Sequence, residues 1–266
     1  MPSDLALDER APVRTSLGRV LFIAWQVPET RSITPVGRLR ILPTGTTGDF
    51  EFEFRYLRAA TSVLARPFAS FPVFEATYRS SQLFPFFENR MVPVHSPDFA
   101  EMAASLGLAD STDPFEVLAT SGGLRATDTI EVFPEPTIDV ERREASFRFL
   151  VRGVRHRPDA DDQIEHLRVG DRLRLEPQPD NPVDSRALLV MPDSGVAVGW
   201  APAYLCPTLH RSARTTTSGW DNITTTVRHI GDRSGPPHFR LLCEIRFPWP
   251  FSDGPFENPD FALYPA

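Results

Sequence analysis

Lysine is absent from this chain of 266 residues: all 28 basic positions are arginine. A phosphate loop built on a Gly-Lys pair is therefore excluded. Abundant Arg, Pro, Ala and Asp are what a GC-rich gene encodes, and Arg also suits planar, bidentate phosphate recognition. Cysteine is nearly absent as well. Cys206 and Cys243 stand 37 positions apart and fit neither a zinc site nor a disulfide framework, so two buried, inert thiols are expected. No apolar run approaches the ~20 residues of a membrane span. The start, Met1-Pro2-Ser3-Asp4, lacks the basic and apolar regions of a signal peptide. A soluble, cytoplasmic protein is expected.

Catalytic patterns are missing too. The six histidines are scattered, with no His-x-x-x-His pair and no Gly-x-Ser-x-Gly elbow. Gly45-Thr46-Thr47-Gly48 has neither the lysine nor the length of a phosphate loop and reads as a hairpin turn with Thr44. Asp159 to Asp162 reads as a solvated acidic loop; Asp161 and Glu165 without further ligands make a poor cation site. The expectation is a protein that is not an enzyme and needs no cofactor or metal.

What is present is uneven charge. A net charge of −7 argues against indiscriminate coating of duplex DNA or anionic membranes. Residues 1–144 carry 14 Arg against 20 acids, and residues 145–266 carry 14 against 15. Seven of the latter arginines fall between Arg148 and Arg174, so a local basic patch is possible on an acidic protein.

The most informative stretch runs from Glu176 to Val190. Pro177, Pro179 and Pro182 fix φ and drive the residues before them out of the helical region. Asn181 and Asp184 are suited to Asx turns. Ala187 to Val190 is apolar, Pro192-Asp193-Ser194-Gly195 turns, and Val196 to Trp200 returns: a β-hairpin with a stiff polar entry loop. Such a loop is more often a recognition surface than a connector.

Asp180-Asn181-Pro182-x-Asp184-x-x-Ala187 with Val198-Gly199-Trp200-x-Pro202 resembles the signature of the HIRAN domain. Arg152-Gly153-Val154-Arg155-His156 and Val169-Gly170-Asp171-x-Leu173-x-Leu175 match that family's first two strands, so the resemblance covers residues 147–212. It implies a small OB-like β-barrel that binds single-stranded DNA or DNA ends. Carried over by position, it implicates Arg155, His156, Asn181, Asp184 and Trp200. Read from the residues alone, Arg155 is a phosphate contact or a surface arginine, and His156 a stacking partner or a surface histidine. Asn181 and Asp184 bond a base edge or sugar hydroxyl, or hold their own loop; Trp200 is a platform or rim packing. Val183 and His156 stand where many members carry aromatics, which implies weaker binding or another end preference.

The N-terminal half reads as strands over Val20–Val27 and Val36–Leu42 and at Phe50, Phe52 and Phe54. A short helix is expected after Tyr56, and capped helices at Ser96–Leu106 and Asp113–Ala119. Leu83-Phe84-Pro85-Phe86-Phe87-Glu88-Asn89-Arg90 and Asp113-Pro114-Phe115-Glu116-x-Leu118-Ala119 resemble the small N-terminal subdomain of HipA-type serine/threonine kinases. A kinase core needs a nucleotide-binding lysine, so the resemblance implies a scaffold and no phosphoryl transfer.

The expected fold is α+β: a small mixed sheet with helices (15–133), a linker (134–144), an OB-like barrel (145–247) and a Pro/aromatic tail (248–266) that either packs over its own domain, the commoner case, or docks elsewhere. Beyond the hairpin, a helix is expected over Tyr204–Arg214 and a strand pair over Ile223–Ile230 and Phe239–Phe247. The function expected is a DNA-binding adaptor whose first half holds a protein partner. The alternative is a protein-interaction module alone, gripping a kinase toxin or repair partner; a metal-assisted nuclease has only the acids near Asp159 behind it.

Overall fold

The computed structural model of the protein describes residues 19–44, 50–109, 111, 113–125 and 129–265. The polar start and the turn expected at Gly45–Gly48 lie outside the described residues. Two antiparallel sheets with few helices make up the molecule. No helix among the described residues is long and apolar enough to cross a membrane.

The first sheet has the order β4-β3-β2-β1-β5. Its strands are β1 (Arg19–Gln26), β2 (Ile33–Pro43), β3 (Phe50–Tyr56), β4 (Tyr78–Ser80) and β5 (Ile130–Pro134). All its pairings are antiparallel, where a mixed sheet was expected. Consecutive strands fold back as hairpins, and β5 returns along the free edge of β1. Alternation in β1 sends Leu21 and Ile23 into one core and Phe22 and Ala24 into another, so both faces of the strand are buried. The first core is aromatic: Phe54 stacks on Phe71 at 3.8 Å, with Tyr56 and Phe87 beside them.

Helix α1 (Ala60–Val63) and helix α2 (Pro85–Glu88) are single turns. Helix α3 (Pro97–Ser105) starts where Ser96 accepts from the Asp98 amide, and α4 (Pro114–Ser121) where Asp113 accepts from that of Phe115. Both begin with proline at the first helical position, where the missing N–H costs nothing.

The second sheet has the order β10-β9-β8-β11-β12-β7-β6. Its strands are β6 (Thr137–Asp139), β7 (Glu144–Leu150), β8 (Arg172–Pro177), β9 (Leu188–Met191), β10 (Gly199–Trp200), β11 (Thr224–Ile230) and β12 (Leu241–Pro248). The chain beyond β7 then bonds to β10: Arg152 N donates to Trp200 O at 2.8 Å, and Trp200 N to Arg152 O at 2.9 Å. That pair joins the two sides of the curled sheet, consistent with an OB-like barrel. Leu173, Leu175, Leu188, Val190, Phe147 and Phe149 point into its core, and the arginines between them on β7 and β8 point out.

Three segments differ from expectation. Residues 137–139, within the stretch read as a linker, pair with β7 as β6. The acids near Asp159 lie on helix α5 (Ala160–Glu165), not on a loop. The returning strand expected from Val196 is only Gly199–Trp200. Helix α6 (Cys206–Ala213) and the pair β11–β12 fall where expected.

The halves share a core. Phe133 of β5 stacks on Tyr204 at 3.6 Å and 9°, and Phe256 and Phe261 of the tail pack against Phe22. The tail, for which packing over its own domain was the commoner expectation, spans both halves. Leu263 bridges to Leu57, and the Tyr264 amide donates to Tyr56 O. Aromatic rings at this density bury large apolar areas and hold the tail across the seam.

Helix α3 lies against the barrel, with Phe99 and Leu106 on Leu150 and Leu242. Nearby, a Cβ at Gly107 would meet the His229 ring, so the helix end sits directly on β11. Burial lowers the His229 pKa, partly offset by a hydrogen bond with the Ser105 backbone. The unfolded chain therefore takes up this proton more readily than the folded one. The contribution is complete above the ordinary imidazole value of about 6.5 and is lost as pH falls through the lower folded value. Urea midpoints compared at pH 7.5 and 5.5 should fall on acidification, and by less in His229→Leu; equal falls in both proteins would reject this assignment.

Candidate nucleic-acid interface

The barrel seam gathers most of the residues singled out in the sequence. After Arg152 the chain makes a tight 3-10 turn, Val154–His156, entered through Gly153 at φ 72°. Val154 is buried, while Arg155 and His156 are exposed, with Arg155 Nε 3.2 Å from His156 Nε2. A side chain at Gly153 would collide with the Trp200 ring, with its Cβ 2.7 Å from Cε3. The glycine thus lets the turn close directly onto the indole. Arg157 lies 5.6 Å from the centroid of the same ring.

Trp200 is half-buried and polarised. Its Nε1 donates to Gln178 Oε1 at 2.8 Å, and the same oxygen accepts from Asn181 Nδ2 at 3.1 Å. One carboxamide, held between Pro177 and Pro179, ties the entry loop to the indole. The Asn181 Oδ1 accepts from the amides of Val183 (3.0 Å) and Asp184 (3.2 Å). Asp184 Oδ1 accepts from the Arg186 amide at 2.9 Å and from Arg186 Nε at 3.3 Å. Both side chains therefore hold the loop's own backbone, each such bond worth about 0.5–1.5 kcal/mol. The loop's outward group is Val183, 57% exposed at the tip.

The seam thus unites Arg155, His156, Trp200 and Asn181, while Asp184 turns toward Arg186. Sequence reading missed Gln178 and Arg157. The only cue for Gln178 was its place between two prolines, and for Arg157 its position after the Arg155-His156 pair. His238, on the turn Pro237–Phe239, has its pKa lowered by loss of hydration and by Arg152 and Arg155.

Beneath the seam the Arg152 side chain runs inward. Its Nη2 bonds Glu131 Oε1 of β5, which also accepts from Tyr204 Oη at 2.8 Å. Burial works against the Arg152 charge, but Glu131 and Tyr204 outweigh it and raise its pKa. Burial, followed by the Glu131 charge, pushes the Tyr204 phenol well above its ordinary value. The turn presenting Arg155 is thereby anchored to the first sheet.

The acids near Asp159 are engaged by arginine: Asp161 accepts from Arg240 Nε at 2.7 Å, and Asp162 and Glu165 pair with Arg233 at 3.1 and 2.9 Å. No group of three or more His, Cys, Asp or Glu placed to hold a metal occurs among the described residues. Burial raises the thiol of Cys206 to about 12 and that of Cys243 further.

The architecture is α+β with two antiparallel sheets, one of them a curled half-barrel consistent with an OB-like barrel, with Arg155 and Arg157 at its seam. No protein-family model and no curated protein matches the chain. Among solved structures, it is similar to the HIRAN domain of human HLTF at 20% identity and a TM-score of 0.30, over 38% of this chain and 74% of that one. It is also similar to a Lactobacillus plantarum protein at 17% identity and a TM-score of 0.28, over 39% of this chain and 96% of that one.

Proposed function

We propose that the barrel binds DNA, as a single strand or a strand end, at the seam, and that the first half serves as a scaffold for a protein partner without catalysis. The observation that carries this reading is the Trp200 indole fixed by Gln178, with Arg157 over its ring and the Arg155–His156 pair on the turn that closes onto it. Neither arginine has an acid partner among the described residues. Single-strand sites combine a cation for phosphate with a flat surface for a base, each stack contributing about 1–3 kcal/mol. An exposed cation–π contact such as Arg157 over Trp200 is worth about 0.5–1 kcal/mol. A base therefore displaces the guanidinium from the ring, and Arg157 is released toward a phosphate. Arg155 is exposed, with His156 as its side-chain partner, so its guanidinium still has donors for an incoming phosphate. The rigid loop supplies Val183 as an aliphatic wall, and its Asx bonds keep that wall in place without an ordering cost on binding.

Anisotropy titrations of short labelled single strands over a salt series test this. Arg155→Ala should weaken binding severalfold and reduce the log–log salt slope by about 0.7, the loss of one single-strand phosphate contact. Strands with free and blocked 3′ ends separate end recognition from internal binding. No binding by the wild-type chain at low salt would leave only the protein-interaction reading.

A further inference from the structure

Outside the seam, the barrel's outer face carries the densest arginine cluster on its strands. Arg148 of β7, Arg246 of β12, Arg228 of β11, and Arg172 and Arg174 of β8 are all exposed. Their register places them together. Thr226 sits opposite both Arg172 and Glu244, and Glu244 sits opposite Arg148; in the next row Arg246 lies between Thr224 and Ser146.

Glu244 is the single acid at the centre. It is buried and shared by three arginines: Arg228 at 3.0 Å, Arg246 at 2.9 Å and Arg148 at 3.5 Å. Burial raises its pKa, but the hydrogen bonds of Arg228 and Arg246 outweigh that, so it stays ionised. One carboxylate cannot neutralise three guanidinium groups. The side chains of Arg172 and Arg174 have no ion pair or hydrogen bond among the described residues. Further acids border the face: Asp171 directly precedes Arg172, and Glu176 and Glu144 lie near the ends of β8 and β7.

This excess matters in a chain whose net charge is −7. Elsewhere Arg211 pairs with Asp253 and Arg233 with Asp162 and Glu165, while Arg40 and Arg79 share Glu53. Besides Glu244, the residues between the arginines of the face are Thr224, Thr226 and Ser146, short hydroxyl side chains that leave the guanidinium groups accessible and can themselves donate to phosphate oxygen. No aromatic ring interrupts them, so the face offers charge and hydroxyls but no stacking surface.

The face also leads to the seam. Leu189 of β9 sits between Trp200 of β10 and Glu176 of β8, and Arg174, one step further along the same side of β8, sits opposite Met191. Leu189 and Met191 pack with Trp200 on this outer side. The opposite margin is covered by helix α3 on Leu150 and Leu242. The open direction for a bound polymer is thus from Trp200 across β9 onto β8 and β11.

We propose that this outer face is a phosphate track, which holds the sugar-phosphate backbone of a DNA strand whose end or unpaired bases sit at Trp200. The proposal rests on the seam reading and extends it: the seam takes bases, and the track takes the backbone that leaves it, without regard to sequence.

The test compares thymidine strands of about 5 and about 20 nucleotides, the first inside and the second beyond the roughly 4–16 nucleotides one such barrel covers. Full-length wild type is set against the Arg172→Ser/Arg174→Ser double variant. The variant should bind the long strand about 5- to 10-fold more weakly, with a salt slope shallower by about 1.4, two phosphate contacts at about 0.7 each. Its affinity for the short strand should stay within about twofold. Arg172→Lys/Arg174→Lys should recover the slope, since a point charge serves a phosphate. An unchanged slope on the long strand, or equal loss on both lengths, overturns the track while leaving the seam intact. Wild type that binds neither strand overturns both.

Discussion

Replacing Glu131 by alanine is expected to lower the stability of the whole chain by about 3–5 kcal/mol, the cost of leaving one member of a buried ion pair uncompensated. Glu131 is 8% exposed, and its Oε1 is the common acceptor for Arg152 and Tyr204. With the carboxylate gone, a guanidinium and a phenol are left in the interface between the sheets. The effect should reach the site as well. Arg152 pairs with Trp200 through two backbone bonds, so movement of its side chain disturbs the turn that presents Arg155. Urea denaturation measures the loss. The double variant Glu131→Leu/Arg152→Met should recover much of it, because apolar groups of similar volume can replace a buried pair. A loss below about 1 kcal/mol in Glu131→Ala would mean that water reaches the pair and that the sheets are not latched there.

Gly199→Ala should be nearly as damaging, and for a different reason. The added Cβ would lie 2.4 Å from the Arg152 carbonyl oxygen and 2.6 Å from Val151 Cγ1. The first neighbour is backbone and is held in the bond that joins β7's continuation to β10, so it cannot rotate away. Overpacking of this kind costs about 1–3 kcal/mol, and relief requires the seam to open. Hydrogen exchange should then show faster exchange at the amides of Arg152 and Trp200 than in wild type, together with a lower urea midpoint. Unchanged protection of both amides would show that the sheet remains joined, and strand binding would be expected to survive with it.

The strands and capped helices were legible because their signals are local. Phe50, Phe52 and Phe54 alternate, Ser96 and Asp113 stand one residue before prolines, and Leu173 and Leu175 alternate with arginines. The entry loop was legible for the same reason, since proline and Asx chemistry act within a few residues. What escaped was long-range. Nothing in the linker composition showed that Thr137–Asp139 would find β7, or that Phe256 and Phe261 would cross to Phe22. Asp159 to Asp162 looked like free acids because their arginine partners lie some 70 to 80 positions away. At the site, Arg155 and Trp200 could be singled out one at a time, but Gln178 and Arg157 acquire meaning only once the barrel closes. The arginine face was visible only as a run of basic residues; its focus on Glu244 depends on register between β7, β11 and β12.

The central claim, that the seam around Trp200 takes a nucleic-acid strand, is tested most directly by the four indole N–H signals of the 15N-labelled chain during titration with a short single strand. Trp25, Trp220 and Trp249 make ring contacts with Phe68, His210 and Phe247 and none with Trp200, so they serve as internal controls. Binding at the seam should move the Trp200 indole signal, whose N–H now bonds Gln178, while the other three stay within the shifts caused by salt alone. Saturable binding with Trp200 unmoved, or no binding at low salt, would contradict it.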